Sequence, residues 1–150
     1  MSSREELERP IRPRYARIVG LVLGVLTVLG AVAIMVLVPL VAGVPLGPVD
    51  YLGTTALALL ICWFLYRQAS VAAVPDDDGL TVRNLFLTRT VTWPEIVSVR
   101  FGQDRPWGYL DLAEGEELAV MALQQADGAY GRTEARRLAT LVALHEPGRH

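Results

Sequence analysis

Twenty-one consecutive residues, Ile18 to Val38 (IVGLVLGVLTVLGAVAIMVLV), carry no charge. At about 1.5 Å of rise per residue, such a run forms a helix of roughly 31 Å, the thickness of a bilayer's hydrocarbon core. Its glycines and threonine would weaken a soluble helix but are ordinary in a transmembrane one. A second run, Val49 to Tyr66 (VDYLGTTALALLICWFLY), has a single charge, Asp50, at its outer end. Between the two lies PLVAGVPLGP, rich in proline and glycine and too short for anything but the turn of a helical hairpin. The sequence therefore predicts a transmembrane hairpin over 18–66, with spans at about 18–38 and 49–66.

A cleaved signal peptide is the competing explanation of the first run. Signals have an apolar region of roughly 7–15 residues that turns polar after a small-residue site. Here a polar leader, residues 1–17, precedes the run, and the chain stays apolar beyond Ala31-Val32-Ala33. The first span is expected to remain in place.

Arginine placement sets the expected orientation. The leader carries Arg4, Arg9, Arg12, Arg14 and Arg17, and Arg67 follows the second span, whereas the hairpin turn has no basic residue. The positive-inside rule puts both termini in the cytoplasm of a multi-pass plasma-membrane protein. Gly20, Gly24, Thr27 and Ala31 recur at helical spacing in the first span, and Thr54, Ala58 and Cys62 in the second. These small residues are candidates for close helix packing, either within the hairpin or, through Gly20-x-x-x-Gly24, between copies in a homo-oligomer. Neither span has a central ionisable residue, so transport and proton relay lack their usual marker.

Composition bounds what remains. Hydrophobic residues make up 52% of the 150 and charged residues 20%, an apolar shift that fits a membrane protein. All 14 basic residues are arginine, and the net charge of −2 gives no nucleic-acid footprint. The single cysteine, Cys62, lies in an apolar run, which removes disulfide frameworks and Cys-rich metal sites.

From Gln68 the pattern becomes that of short strands. Candidates are Ala69–Val74, ended by Pro75 and the turn Asp76-Asp77-Asp78-Gly79; Leu80–Asn84; and Leu85–Val91, with Phe86 among its apolar members. Thr92-Trp93-Pro94-Glu95 fits a capping box with proline in the first turn, hence one helical turn between strands. Beyond it Val97, Val99 and Phe101 alternate with Ser98 and Arg100, which predicts a half-buried strand. After a polar connection, Trp107–Ala113 places Trp107, Tyr109 and Asp111 opposite Leu110 and Leu112. Glu114-Gly115-Glu116 reads as a hairpin turn and Glu117–Leu123 as the partner strand. A final helix is expected from a Thr133 cap to about His145, with Ala135, Leu138, Leu141 and Val142 inward, Arg132, Arg136 and Arg137 outward, and Pro147 and Gly148 as its stop.

Antiparallel strands followed by one C-terminal helix is the plan of pleckstrin-homology-like (PH-like) domains. The runs DDDGLTVRN, TRTVTWPEIVSVRFG, PWGYLDLAEGEELAVMAL and EARRLATLVAL resemble the bacterial PH domain family, in particular the low-molecular-weight antigen type of actinobacteria. That resemblance implies two N-terminal transmembrane helices joined to one PH-like domain, an α+β chain whose antiparallel barrel or sandwich is capped by the last helix. The implied layout is a cytoplasmic leader 1–17, hairpin 18–66, PH-like domain 67–146 and tail 147–150. The family supplies no established functional residues to transfer.

Three functions compete. An interaction module would bind a protein or peptide partner through its surface or through a groove between a strand edge and the helix. Trp107 and Tyr109 are its candidate surface residues, although a tryptophan beside a proline at a strand entry is also a natural core plug. A structural subunit would instead assemble through the spans. Phospholipid recognition needs a cationic cluster at the first strand loop. Here that loop is Asp76-Asp77-Asp78, and residues 67–150 hold 9 arginines against 12 acids. Enzymatic motifs (phosphate loop, nucleophile elbow, HExxH, CxxC) do not occur, so no catalytic residue, cofactor or metal is expected.

Overall fold

The computed structural model describes residues 3–102 and 104–146. The expected tail 147–150, with the stop at Pro147 and Gly148, lies outside the described residues, as do Met1 and Ser2 of the leader. In order, the elements are helices α1 (Ser3–Leu7), α2 (Tyr15–Ala42) and α3 (Pro48–Ala69), strands β1 (Ala72–Pro75), β2 (Gly79–Arg83), β3 (Thr88–Thr92), β4 (Ile96–Arg100), β5 (Trp107–Leu112) and β6 (Glu117–Gln124), and helix α4 (Gly128–His145). They form two compact units: Ala16–Ala69, and the segment up to Tyr15 together with the chain from Ser70 onward.

Within the first unit, α2 and α3 are both long and apolar enough to cross a membrane. Each outruns its uncharged stretch. α2 continues through Pro39 to Ala42 and ends at Gly43, whose φ of +64° suits the residue that follows a helix. α3 opens with Pro48 in its first turn, and the Gly47 N–H donates to the Asp50 carboxylate at 2.8 Å. The one charge of the second run is thus a helix cap.

The second unit contains two separate three-stranded antiparallel sheets, β1-β2-β3 and β4-β5-β6, and α4 lies against β4 and β6. The arrangement is a PH-like sandwich rather than a closed barrel. Leu80 and Val82 from one sheet, Leu110 and Val120 from the other, and Leu138 from α4 meet in one core. Trp93 is a core plug at 3% exposure, as its place beside Pro94 suggested. Its ring stacks on His145 at 4.6 Å, and its indole N–H donates to the Asp76 carbonyl. The turn Trp93–Glu95 is a single 3-10 turn, with the Glu95 carboxylate accepting from both the N–H and the hydroxyl of Thr92.

Several expectations need correction. The first strand starts at Ala72 rather than Ala69, because Ala69 is still helical. Phe86 belongs to no strand: β3 starts at Thr88, and Phe86 is 73% exposed at the tip of the β2–β3 turn. Val97 does not face the core. The ladder between β4 and β5 slips between Ile96 and Ser98, a bulge that leaves Val97 outside while Ile96 is buried and Val99 and Phe101 pack on the core. α4 starts at Gly128, not Thr133, whose hydroxyl bonds back to the Ala129 carbonyl in mid-helix. Gly131, within α4, permits close approach: a Cβ there would lie 2.6 Å from the Gln124 carbonyl oxygen.

The largest difference concerns the leader and the domain boundary at residue 67. Residues 4–15 are not a free polar arm; they pack on the domain that begins some 55 positions later. Ile11 is fully buried and forms an antiparallel bridge with Ala73 on the outer edge of β1. Arg137, expected to look outward, turns to this segment. Ile11 and Leu7 supply apolar surface that an otherwise polar leader conceals in a plain hydropathy reading.

Candidate functional site

The β5 alternation holds in three dimensions. Gly108, Leu110 and Leu112 point into the core, and Trp107, Tyr109 and Asp111 are partly exposed on the outer face of the β4-β5-β6 sheet. Trp107 and Tyr109 are linked, the indole N–H donating to the tyrosine oxygen at 3.0 Å. The Arg105 guanidinium stands 4.5 Å from the centre of the Tyr109 ring, a cation–π contact.

Charges frame this aromatic pair. Arg100 on β4 bonds Asp111 on β5 at 2.6 Å and also Glu117 on β6, and Arg105 reaches Glu117 at 2.9 Å. The Ser98 hydroxyl donates to Asp111. That bond, with Arg100 beside it, holds the Asp111 carboxyl below its usual range. Arg105 and then Arg100 do the same for Glu117, and these two carboxylates raise Arg100. Pairs this exposed add little stability singly. As a network across three strands, they fix the side chains around Trp107 and Tyr109 in one arrangement.

The groove between the β1 edge and α4, the other candidate binding place, is filled by residues 4–15. Arg137 donates to the carbonyls of Glu6, Leu7 and Arg9 at 2.9, 3.0 and 2.8 Å. Asp127, at the start of α4, accepts the N–H groups of Arg14 and Tyr15. Sequence reasoning missed Ile11, Asp127 and Arg137, because each takes its meaning from a partner more than 60 positions away, and it missed Glu134, which pairs with Arg137. The buried Glu134 pairs with Arg137 and marks the inward side of α4.

The acidic β1–β2 turn is internally satisfied. The Asp76 carboxylate accepts from the N–H groups of Asp78 and Gly79, which leaves carboxylates rather than donors towards solvent. Among the described residues no group of three His, Cys, Asp or Glu is placed to hold a metal ion. In the hairpin unit, Gly20, Gly24, Thr27 and Ala31 of α2, and Thr54, Ala58 and Cys62 of α3, are half-buried in otherwise mostly exposed helices. Gly20 lies against Leu65 and Ala69, and the Gly24 carbonyl faces the Cys62 sulfur at 3.9 Å. Gly20 is thus in contact within one chain, whereas a Cβ on Gly24 would meet nothing within 4 Å.

The family motifs have structural reasons. A Cβ on Gly79 would sit 2.1 Å from the Val91 carbonyl oxygen, so the close β2–β3 crossing needs glycine. Asn84 directly follows the same strand, and its side-chain amide bonds the Ala119 carbonyl (2.7 Å) and the Met121 N–H (3.0 Å), acting as a one-residue strand partner for β6.

Two antiparallel sheets and a C-terminal helix of this order define the domain as PH-like. Residues 71–141 match the family described as "Bacterial PH domain", and the chain belongs to that family. It is similar to "Uncharacterized protein Rv1417" of Mycobacterium tuberculosis (strain ATCC 25618 / H37Rv) and to "Uncharacterized protein Mb1452" of Mycobacterium bovis (strain ATCC BAA-935 / AF2122/97). Each is 30% identical over 106 residues, which cover 71% of this chain and 69% of the relative. No solved structure matches it significantly.

Proposed function

We propose that the protein is a membrane-anchored PH-like interaction module at the cytoplasmic face of the plasma membrane, and that it binds a protein partner through the outer face of the β4-β5-β6 sheet. The observation that carries this reading is the Trp107–Tyr109 pair, held partly exposed by a hydrogen bond and by the Arg105 contact. Rigid, half-exposed aromatics beside arginine are the residue types that dominate protein interfaces. Membership of a PH domain family favours binding over catalysis.

The anchor reading draws on the length and apolarity of α2 and α3. The cytoplasmic side rests on the arginines that flank the hairpin. The self-satisfied aspartate turn speaks against phosphate recognition at the first strand loop.

A photo-crosslinking residue at Tyr109, and a control at lipid-facing Leu29, test the proposal in native membranes. A reproducible protein adduct is expected from Tyr109 and not from Leu29. With the captured partner, Tyr109→Ala is expected to weaken binding by about 2 kcal/mol, roughly thirtyfold in Kd. Adducts from Leu29 alone would replace this reading with assembly through the spans.

A further inference from the structure

Between the free edge of β1 and α4, the non-helical residues 8–14 that follow α1 run along the sheet edge and show what this groove accepts. Ile11 exchanges both backbone hydrogen bonds with Ala73, at 2.8 and 3.0 Å, and its side chain is fully buried. Pro13 is buried two positions on, while Arg12 and Arg14 are exposed, so the segment alternates like a strand. Pro13 brings no N–H that would need a partner in the groove. At one end of the segment, Arg137 gathers three carbonyls, with its side chain 11% exposed and its Glu134 partner 5%. At the other end, Asp127 takes two N–H groups, and the Arg14 guanidinium lies 3.9 Å over the Tyr130 ring.

Most of these bonds go to the backbone of the segment, and sockets for alternate side chains supply the selectivity. That is the chemistry of peptide recognition by strand addition. The segment also stands apart from the domain it covers. The family match begins at Val71, and the core of both sheets and α4 is drawn, Ile11 aside, from residues after Ser70.

We propose that this groove is a peptide-recognition site for an extended segment of Ile-x-Pro type, and that residues 4–15 are its resident, displaceable ligand. This surface is distinct from the Trp107–Tyr109 face and does not depend on it. A tethered occupant acts at millimolar effective concentration, so a competing segment enters only when the resident is released. Arg137 holds the resident through the carbonyls that end α1, at Glu6 and Leu7, and through that of Arg9.

The test uses the full chain in detergent micelles and a fluorescent peptide with the sequence of residues 4–15. In the unmodified protein, trypsin is expected to cut slowly after Arg14, and the peptide is not expected to bind. In Ile11→Asp, which puts a charge in the socket, cleavage is expected to accelerate at least tenfold and the peptide to bind saturably. Adding Arg137→Ala is expected to weaken that binding at least tenfold. Ile11→Ala, a milder release, should fall between, with Trp93 fluorescence reporting an intact domain. Equal cleavage of the unmodified protein and Ile11→Asp would overturn the proposal, as would a folded Ile11→Asp that does not bind the peptide. Loss of the folded domain in both variants would also overturn it, because the segment would then be an indispensable part of the core.

Discussion

Gly79 opens β2 and Asn84 follows its last residue, and the two show two ways a single residue can be required. At Gly79 the constraint is space, since the Val91 carbonyl oxygen occupies the place of a side chain. Gly79→Ala must displace backbone, and it is expected to lower stability by about 1–3 kcal/mol in chemical denaturation, against less than about 0.5 kcal/mol for an exposed control such as Glu114→Ala. At Asn84 the requirement is a matched donor and acceptor, which no apolar residue of the same size supplies. The core place of Trp93 was legible only in part, because Trp107 also stands beside a proline at a strand entry and is partly exposed. The places of Val97 and Phe86 were not legible. A bulge shifts a strand's phase by one residue without altering its composition, and an apolar turn residue looks like a strand residue until the register is known.

Among the elements, the strands and the two apolar helices follow their periodicities closely, because period 2 and the uninterrupted apolar run are local signals. The start of α4 was obscured by two glycines that serve packing or turn geometry rather than helix termination. The outer face of β4-β5-β6 carries its own test. Asp111 and Glu117 have lowered folded-state values, so the stability they contribute is present above the ordinary Asp and Glu values of 3.8 and 4.5, and is lost as pH falls through the lowered ones. Tm measured against pH is expected to show Glu117→Gln below the unmodified protein by a constant margin from pH 7 to about 5. The gap should close below the ordinary glutamate value of 4.5. A gap that persisted fully at about pH 2 would assign the loss to packing instead.

For the whole molecule, the hairpin is inserted within the PH-like unit rather than attached to its end. Residues 4–15 and 70–146 fold together, so both must lie on the same side of any membrane that α2 and α3 cross. Reporter fusions at the two termini are expected to agree, and under the proposed orientation both are expected to report from the cytoplasm. Opposite locations would refute the two-span arrangement. This discontinuity was illegible in the sequence, since nothing near Ile11 announces Ala73.

The Ile11–Ala73 bridge and the Arg137 clamp also impose a calendar on synthesis. A ribosome adding about 5–20 residues per second makes the first partner of each contact long before the second. The opening segment must wait through production of the whole hairpin before β1 exists to receive it, and through five strands more before Arg137 can close over it. The hairpin is therefore complete before the domain is, and a nascent chain delayed at the hairpin holds its first strand partner in reserve, open to whatever extended segment arrives first.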